Sequence, residues 1–218
     1  TGPGTAMGAL LRRYWIPVVQ SGELEPGGRV KRVRLLCEPL IVFRGKSGRP
    51  GLIGELCPHR GASFFFGRVE EAGMSCAYHG WKFGDDGRCL VMPSEPPESS
   101  FASKVRHVAY PCEERGGVIW AYMGSASPPP PLPQLEWTLL PEPHTLISKR
   151  VQECNWFQAL EGGIDSSHIS FLHAPISHTD TEIAQELDKA SFGIGDAVQT
   201  ADRSPRFEIA ETDYGALI

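Results

Sequence analysis

The chain has 218 residues, 41% hydrophobic and 22% charged, and its 21 basic and 26 acidic side chains leave a net charge of −5. This composition excludes disorder as the main state, and the length suffices for one large domain or two small ones around a buried core. The longest apolar run, Gly117 to Gly124, falls far short of a membrane-spanning helix, and a pI near 5.8 argues against nucleic acid, so neither a membrane nor a nucleic-acid partner is expected.

Met7, Leu10, Leu11, Tyr14 and Trp15 recur at helical spacing and predict a short amphipathic helix that Pro17 stops. From Val30 to about Val118 the texture changes to short apolar runs, Val33 to Cys37, Leu40 to Phe43 and Leu52 to Leu56, separated by glycine-rich turns. Their close spacing leaves no room for crossover helices, so the strands should pair antiparallel as a small sandwich or barrel. Ser127 to Pro133 must run extended and reads as a boundary. Beyond it, Val151 to His173 has helical texture and Phe207 to Ile218 alternates like an edge strand. The expected organisation is a helix and lead-in over 1–28, an antiparallel β domain over 29–126, a proline-rich linker over 127–133 and a second domain over 134–218. The chain opens without an initiator Met and stops within a strand pattern, so it is expected to be an N-terminal fragment. Six sparse cysteines and no apolar leader point to the reducing cytoplasm.

Two segments carry the strongest chemistry. Cys57-Pro58-His59 is followed, after sixteen intervening residues, by Cys76-Ala77-Tyr78-His79. A structural zinc site also accepts two Cys and two His, but it usually groups like with like along the chain. Here each loop supplies one thiolate and one imidazole, which suits a two-iron cluster with the thiolates on one iron and the imidazoles on the other. Neutral imidazoles raise such a cluster to roughly −150 to +300 mV, against about −400 mV for the all-cysteine plant type. Taken singly, each Cys reads as a small buried hydrophobe. Cys37, Cys89, Cys112 and Cys154 have no partner spacing and read as ordinary thiols.

With Arg60-Gly61-Ala62 and Gly80-Trp81-Lys82-Phe83 beside these ligands, the segment resembles the Rieske domain of aromatic-ring-hydroxylating oxygenases. The resemblance implies an antiparallel β domain with a [2Fe-2S] cluster at its tip, Cys57 and Cys76 on one iron and His59 and His79 on the other.

A second constellation, Asp165-x₂-His168-x₄-His173, follows Asn155-Trp156 and Glu161-Gly162. On a regular helix Asp165 and His168 share a face, whereas His173 is about 140° away, so either the helix ends or widens near Ser170 or the two histidines do unrelated jobs. Individually, a histidine at a helix end reads as a cap, and Asp165 reads as the N-cap of a helix starting at Ser166. The set resembles the mononuclear iron motif of the same family. By that resemblance His168 and His173 are iron ligands, and Asp165 bridges His168 to His79 of a neighbouring subunit in a head-to-tail trimer or a multiple of trimers. The family's third ligand, an Asp or Glu, lies beyond residue 218, so no complete ligand triad is expected here; Asp180, Asp188, Asp196 and Asp213 do not match its position.

The overall fold class expected is α+β, a Rieske domain followed by the start of a helix-grip-like catalytic domain. Gly2 to Gly8, Leu11 to Trp15, Met92 to Pro96, Glu153 to Trp156 and Arg206 to Glu208 further resemble the phthalate-dioxygenase-like branch. That implies an oxygenase component fed with NADH electrons by a reductase carrying FMN and a plant-type cluster, and hydroxylating an aromatic carboxylate with O₂. Alternatives are aryl-ether O-demethylation on the same scaffold, a stand-alone Rieske electron carrier and a zinc-stabilised interaction module.

Overall fold

A computed structural model describes residues 1–141, 144–172, 204–213 and 215–218. They divide into two compact units, Thr1–Lys149 and Arg150–Ile218. The first contains α1 (Ala6–Leu11) and strands β1 (Trp15–Gln20), β2 (Lys31–Leu35), β3 (Glu38–Arg44), β4 (Pro50–Gly54), β5 (Arg68–Glu70), β6 (Gly73–Ser75), β7 (Lys82–Phe83), β8 (Cys89–Val91), β9 (Ala109–Tyr110), β10 (Cys112–Arg115) and β11 (Val118–Tyr122).

Three antiparallel sheets result, in the orders β1-β11-β10, β2-β3-β4-β9 and β5-β6-β7-β8. The apolar run at Val118–Tyr122 becomes the central strand of the first, buried along its whole length. A central strand buried on both faces reads as a continuous apolar run rather than an alternating one. Close backbone packing demands glycine at some positions: a Cβ at Gly51 would stand 2.4 Å from Phe43 Cζ. The β2–β3 hairpin turns through Leu36 and Cys37 at φ +45° and +68°, a conformation in which Asn-Gly is the common choice.

The N-terminal helix is shorter than the spacing predicts. It ends at Leu11, and Trp15 instead opens β1 opposite Tyr122. Trp15 is buried with Val118, Trp120, Tyr122 and Leu132, and its indole N–H donates to the Pro130 carbonyl at 2.9 Å. Burying so large a side chain is worth about 1.5–3 kcal/mol, more than one turn of helix contributes. The proline-rich segment thereby packs on the first sheet.

A core of Ile41, Phe43, Ile53, Phe64, Met74 and Phe83 underlies the two Cys-His segments and includes Cys57 and Cys76. The second unit contains α2 (Trp156–Ile164), α3 (Ile169–Leu172) and a hairpin of β12 (Ala210–Thr212) with β13 (Gly215–Leu217). The Asn155 side chain caps α2 by accepting from the Phe157 N–H at 2.9 Å. Among the described residues no helix is long and apolar enough to cross a membrane.

Candidate functional site

The two Cys-His loops share one construction. In the first, after β4, the Cys57 N–H donates to the Ala62 carbonyl at 2.9 Å and the Gly61 N–H to the Cys57 carbonyl at 2.8 Å. In the second, between β6 and β7, the Cys76 N–H donates to the Trp81 carbonyl at 2.8 Å and the Gly80 N–H to the Cys76 carbonyl at 3.0 Å. Each cysteine thus pairs with the residues four and five positions on. The residue four on is a glycine in the left-handed region, φ +72° at Gly61 and +71° at Gly80. Other residues are held there only at a cost of about 1–2 kcal/mol, which accounts for glycine in both motifs.

Glu55 braces the first loop. Its carboxylate accepts from Arg32 Nε and Ser63 Oγ, both at 2.8 Å, and its carbonyl accepts from the Phe64 N–H at 2.8 Å. The Arg32 bond outweighs burial and, with Ser63, holds the Glu55 carboxyl below its ordinary range. The Arg32 guanidinium also lies 3.9 Å from the centroid of the Phe65 ring.

Between these loops the donors pair by type. Cys57 and Cys76 are 3% and 2% exposed. Burial pushes the Cys57 thiol up to about 11, against the His59 backbone and reinforced by the neighbouring Cys76 thiol. Thiolates in such surroundings require a nearby cation to offset their charge. The imidazoles of His59 and His79 meet edge to face, ring centroids 4.5 Å apart. His59 stacks on Trp81 at 4.4 Å and 6°, and Tyr78 packs on the exposed His79 at 3.8 Å.

His59 Nδ1 is buried without a hydrogen-bond partner among the described residues. Burial, then the adjacent His79, lowers the His59 pKa and favours the neutral, metal-binding ring. An unsatisfied buried nitrogen costs on the order of 1–3 kcal/mol, and a metal ion is the partner that a neutral imidazole in this setting accepts. Among the described residues no three His, Cys, Asp or Glu side chains group tightly enough to hold one ion. The arrangement is two thiols and two imidazoles, which suits a pair of irons better than the four convergent donors of tetrahedral zinc.

Asp165 and His168 come together in another way than the helical spacing suggests. α2 ends at Ile164, and Asp165 follows it as an extended C-cap rather than as the N-cap of a new helix. Its Oδ1 accepts from the Ser167 N–H at 2.8 Å, and its Oδ2 lies 3.2 Å from His168 Nδ1. The pair therefore meets across a turn, not along one helix face, because the carboxylate captures a backbone donor that a continued helix would occupy. His168 stands just ahead of α3. His173 lies outside the described residues, as do Asp180, Asp188 and Asp196; Asp213 is exposed. Spacing alone revealed neither Glu55 nor the buried indole of Trp81 as part of the site. Glu55 offered no signal beyond its position two residues before Cys57, and Trp81 only its place in the segment that resembles the Rieske domain.

Comparison with known proteins adds three findings. Residues 14–109 match the Rieske [2Fe-2S] domain, and residues 121–217 match a domain described as LigXa C-terminal domain like. The chain is 45% identical over 98% of its length to the 3-chlorobenzoate-3,4-dioxygenase oxygenase subunit of Comamonas testosteroni, covering 48% of that protein. It is 39% identical over 96% of its length to the phthalate 4,5-dioxygenase oxygenase subunit of Pseudomonas putida, covering 47%. Against the 5,5'-dehydrodivanillate O-demethylase oxygenase subunit of Sphingobium sp. (strain NBRC 103272 / SYK-6), identity is 42% over 79% of this chain and 41% of the relative. The chain therefore spans about half the length, or less, of these relatives. Among solved structures, the reduced oxygenase–ferredoxin complex of carbazole 1,9a-dioxygenase superposes with a TM-score of 0.61 at 29% identity, over 73% of this chain and 41% of that one.

Proposed function

The chain belongs to the Rieske oxygenase large subunits, in the phthalate-dioxygenase-like branch, and from that premise we propose that it is the oxygenase component of a multicomponent system hydroxylating an aromatic carboxylate. In this reading Cys57 and Cys76 hold one iron of a [2Fe-2S] cluster, His59 and His79 hold the other, and His168 and His173 supply two ligands of a mononuclear ferrous ion. When bound, the cluster supplies one-electron transfer and the ferrous ion reductive activation of O₂.

The chain's own residues prepare both sites. The buried thiols exclude water from the inner end of the cluster site, while exposed His79 carries the outer end towards solvent. Asp165 Oδ2 accepts the Nδ1 proton of His168, fixing the tautomer that presents Nε2 to a metal. We assign the same carboxylate the bridge to the partner subunit's His79. Such a heterologous contact closes into a head-to-tail trimer or a multiple of trimers. Arg60 and Lys82 flank the ligand loops and would attract an acidic electron donor, which we take to be a reductase with FMN and a plant-type cluster, fed by NADH. Six cysteines without disulfides suit the reducing cytoplasm. Similarity to the O-demethylase subunit favours ether cleavage as the second reading.

The pairing of thiol with thiol and imidazole with imidazole carries this proposal. Reduction of the complete protein should produce a Rieske-type electron paramagnetic resonance signal; stoichiometric zinc without that signal overturns it. Product analysis with reductase, NADH and O₂ on phthalate, vanillate and phenoxybenzoate separates ring hydroxylation from ether cleavage. No substrate-dependent O₂ uptake with an intact signal would indicate a carrier instead.

A further inference from the structure

The indole Nε1 of Trp81 is buried, in a side chain only 7% exposed, and has no hydrogen-bond partner among the described residues. Buried indoles usually find an acceptor, and leaving the donor unpaired costs on the order of 1–3 kcal/mol. The other three tryptophans of the first unit place no such demand on this site: Trp15 and Trp120 donate to the Pro130 and Arg115 carbonyls, and Trp137 packs on Trp120. Trp81 stands beside the candidate cluster site on two counts. Its carbonyl accepts the Cys76 N–H at 2.8 Å, and its ring stacks on His59 at 4.4 Å with planes 6° apart. His59 Nδ1, in the ring stacked on it, is the other orphan of this pocket. One of these two stacked atoms is a donor and the other is able to ligate a metal, so a bound cluster would satisfy both. The sulfurs of Cys57 and Cys76 do not satisfy the indole N–H, and a cluster seated between these loops would bring acceptor sulfurs to the same pocket.

We propose that the Trp81 indole N–H donates a hydrogen bond to an inorganic sulfide of the [2Fe-2S] cluster and thereby raises the cluster's reduction potential. This rests on the cluster assignment made above for Cys57, His59, Cys76 and His79. A donor facing sulfide stabilises the more negative, reduced state, so its loss lowers the potential. Trp81 acts here by positioning a proton, not by touching substrate. A hydrogen bond of ordinary strength makes reduction up to about tenfold more favourable, about 59 mV for a one-electron couple.

The experiment uses the complete protein, reduced, with tryptophan labelled by ¹⁵N at the indole nitrogen. Pulsed electron paramagnetic resonance is expected to show a ¹⁵N coupling in addition to those of the two imidazoles. Trp81→Phe keeps an aromatic ring over His59 and removes the donor; it is expected to load the cluster and to show the lower midpoint potential. A wild-type Rieske signal without indole ¹⁵N coupling overturns the hydrogen bond, whatever the variant does, and so does a loaded Trp81→Phe with unchanged potential. Absence of any Rieske signal from the wild-type protein overturns the cluster assignment itself, which keeps the two failures distinct.

Discussion

Asp165 serves two neighbours with its two oxygens: Oδ1 holds the Ser167 N–H and Oδ2 faces His168 Nδ1. Asp165→Asn keeps an acceptor for the turn but removes the negative charge beside the imidazole. The variant should therefore fold and retain the Rieske spectrum, while electron transfer to the mononuclear site slows by about 10- to 100-fold, the usual effect of losing a ligand's outer partner. Single-turnover kinetics on the complete protein checks this, and an unchanged rate removes Asp165 from the bridge. His168→Ala should abolish oxygenation and leave the Rieske spectrum intact, since the two residues stand in a unit separate from the four cluster candidates. Retained turnover would exclude His168 as a ligand. The spacing Asp-x₂-His made this pair visible, but not how it meets. A helical reading puts both on one face, whereas the observed capping turn forms because a short carboxylate competes well for backbone donors at a helix end.

The matched ligand loops allow a comparison at the scale of the element. Gly61 and Gly80 share a left-handed backbone, yet a Cβ at Gly61 meets nothing within 4 Å whereas one at Gly80 stands 3.0 Å from Pro93 Cγ. Gly61→Ala should cost about 1–2 kcal/mol from backbone conformation alone, and Gly80→Ala more. Denaturant unfolding of the cluster-loaded variants measures the difference; equal losses would show that Pro93 yields freely. The strands around these loops were legible as short apolar runs between glycine turns. The β2–β3 turn was not, because Leu36 and Cys37 carry no turn signal and are held at positive φ by the paired strands on either side. Trp15 likewise departs from its helical spacing, since the partner that buries it is more than a hundred residues away in β11.

At the scale of the molecule, Glu23 ties the chain following β1 to β2 through Lys31 and to the end of the first unit through Lys149. Burial pushes the Glu23 carboxyl up, but hydrogen bonds from Lys149, Lys31 and the Gln20 N–H outweigh it and bring the pKa down to about 2 from 4.5. A group whose folded pKa is depressed adds stability above its unfolded pKa and loses it as the pH falls through the folded one. The first unit should therefore lose stability between about pH 4.5 and pH 2, by on the order of 1 kcal/mol from this group after solvent screening of the two lysines. Glu23→Gln should lower stability at neutral pH and flatten that acid limb in denaturation curves taken across the range. An unchanged slope assigns the acid sensitivity elsewhere.

Local order along the chain was enough to determine the chemical repertoire: a thiol and an imidazole in each of two glycine-closed loops, a later carboxylate and imidazole three residues apart, and short strands that must pair antiparallel. The folded chain alone decided which atoms stand together, thiol beside thiol and imidazole beside imidazole, Arg32 on Glu55, and an indole N–H without an acceptor among the described residues. Spacing and propensity record preferences worth tenths of a kcal/mol per residue between near neighbours. Burial and hydrogen bonds between distant segments are worth kilocalories each, so where the two disagree, as at Trp15 and Asp165, the contact that is remote or captures the backbone prevails.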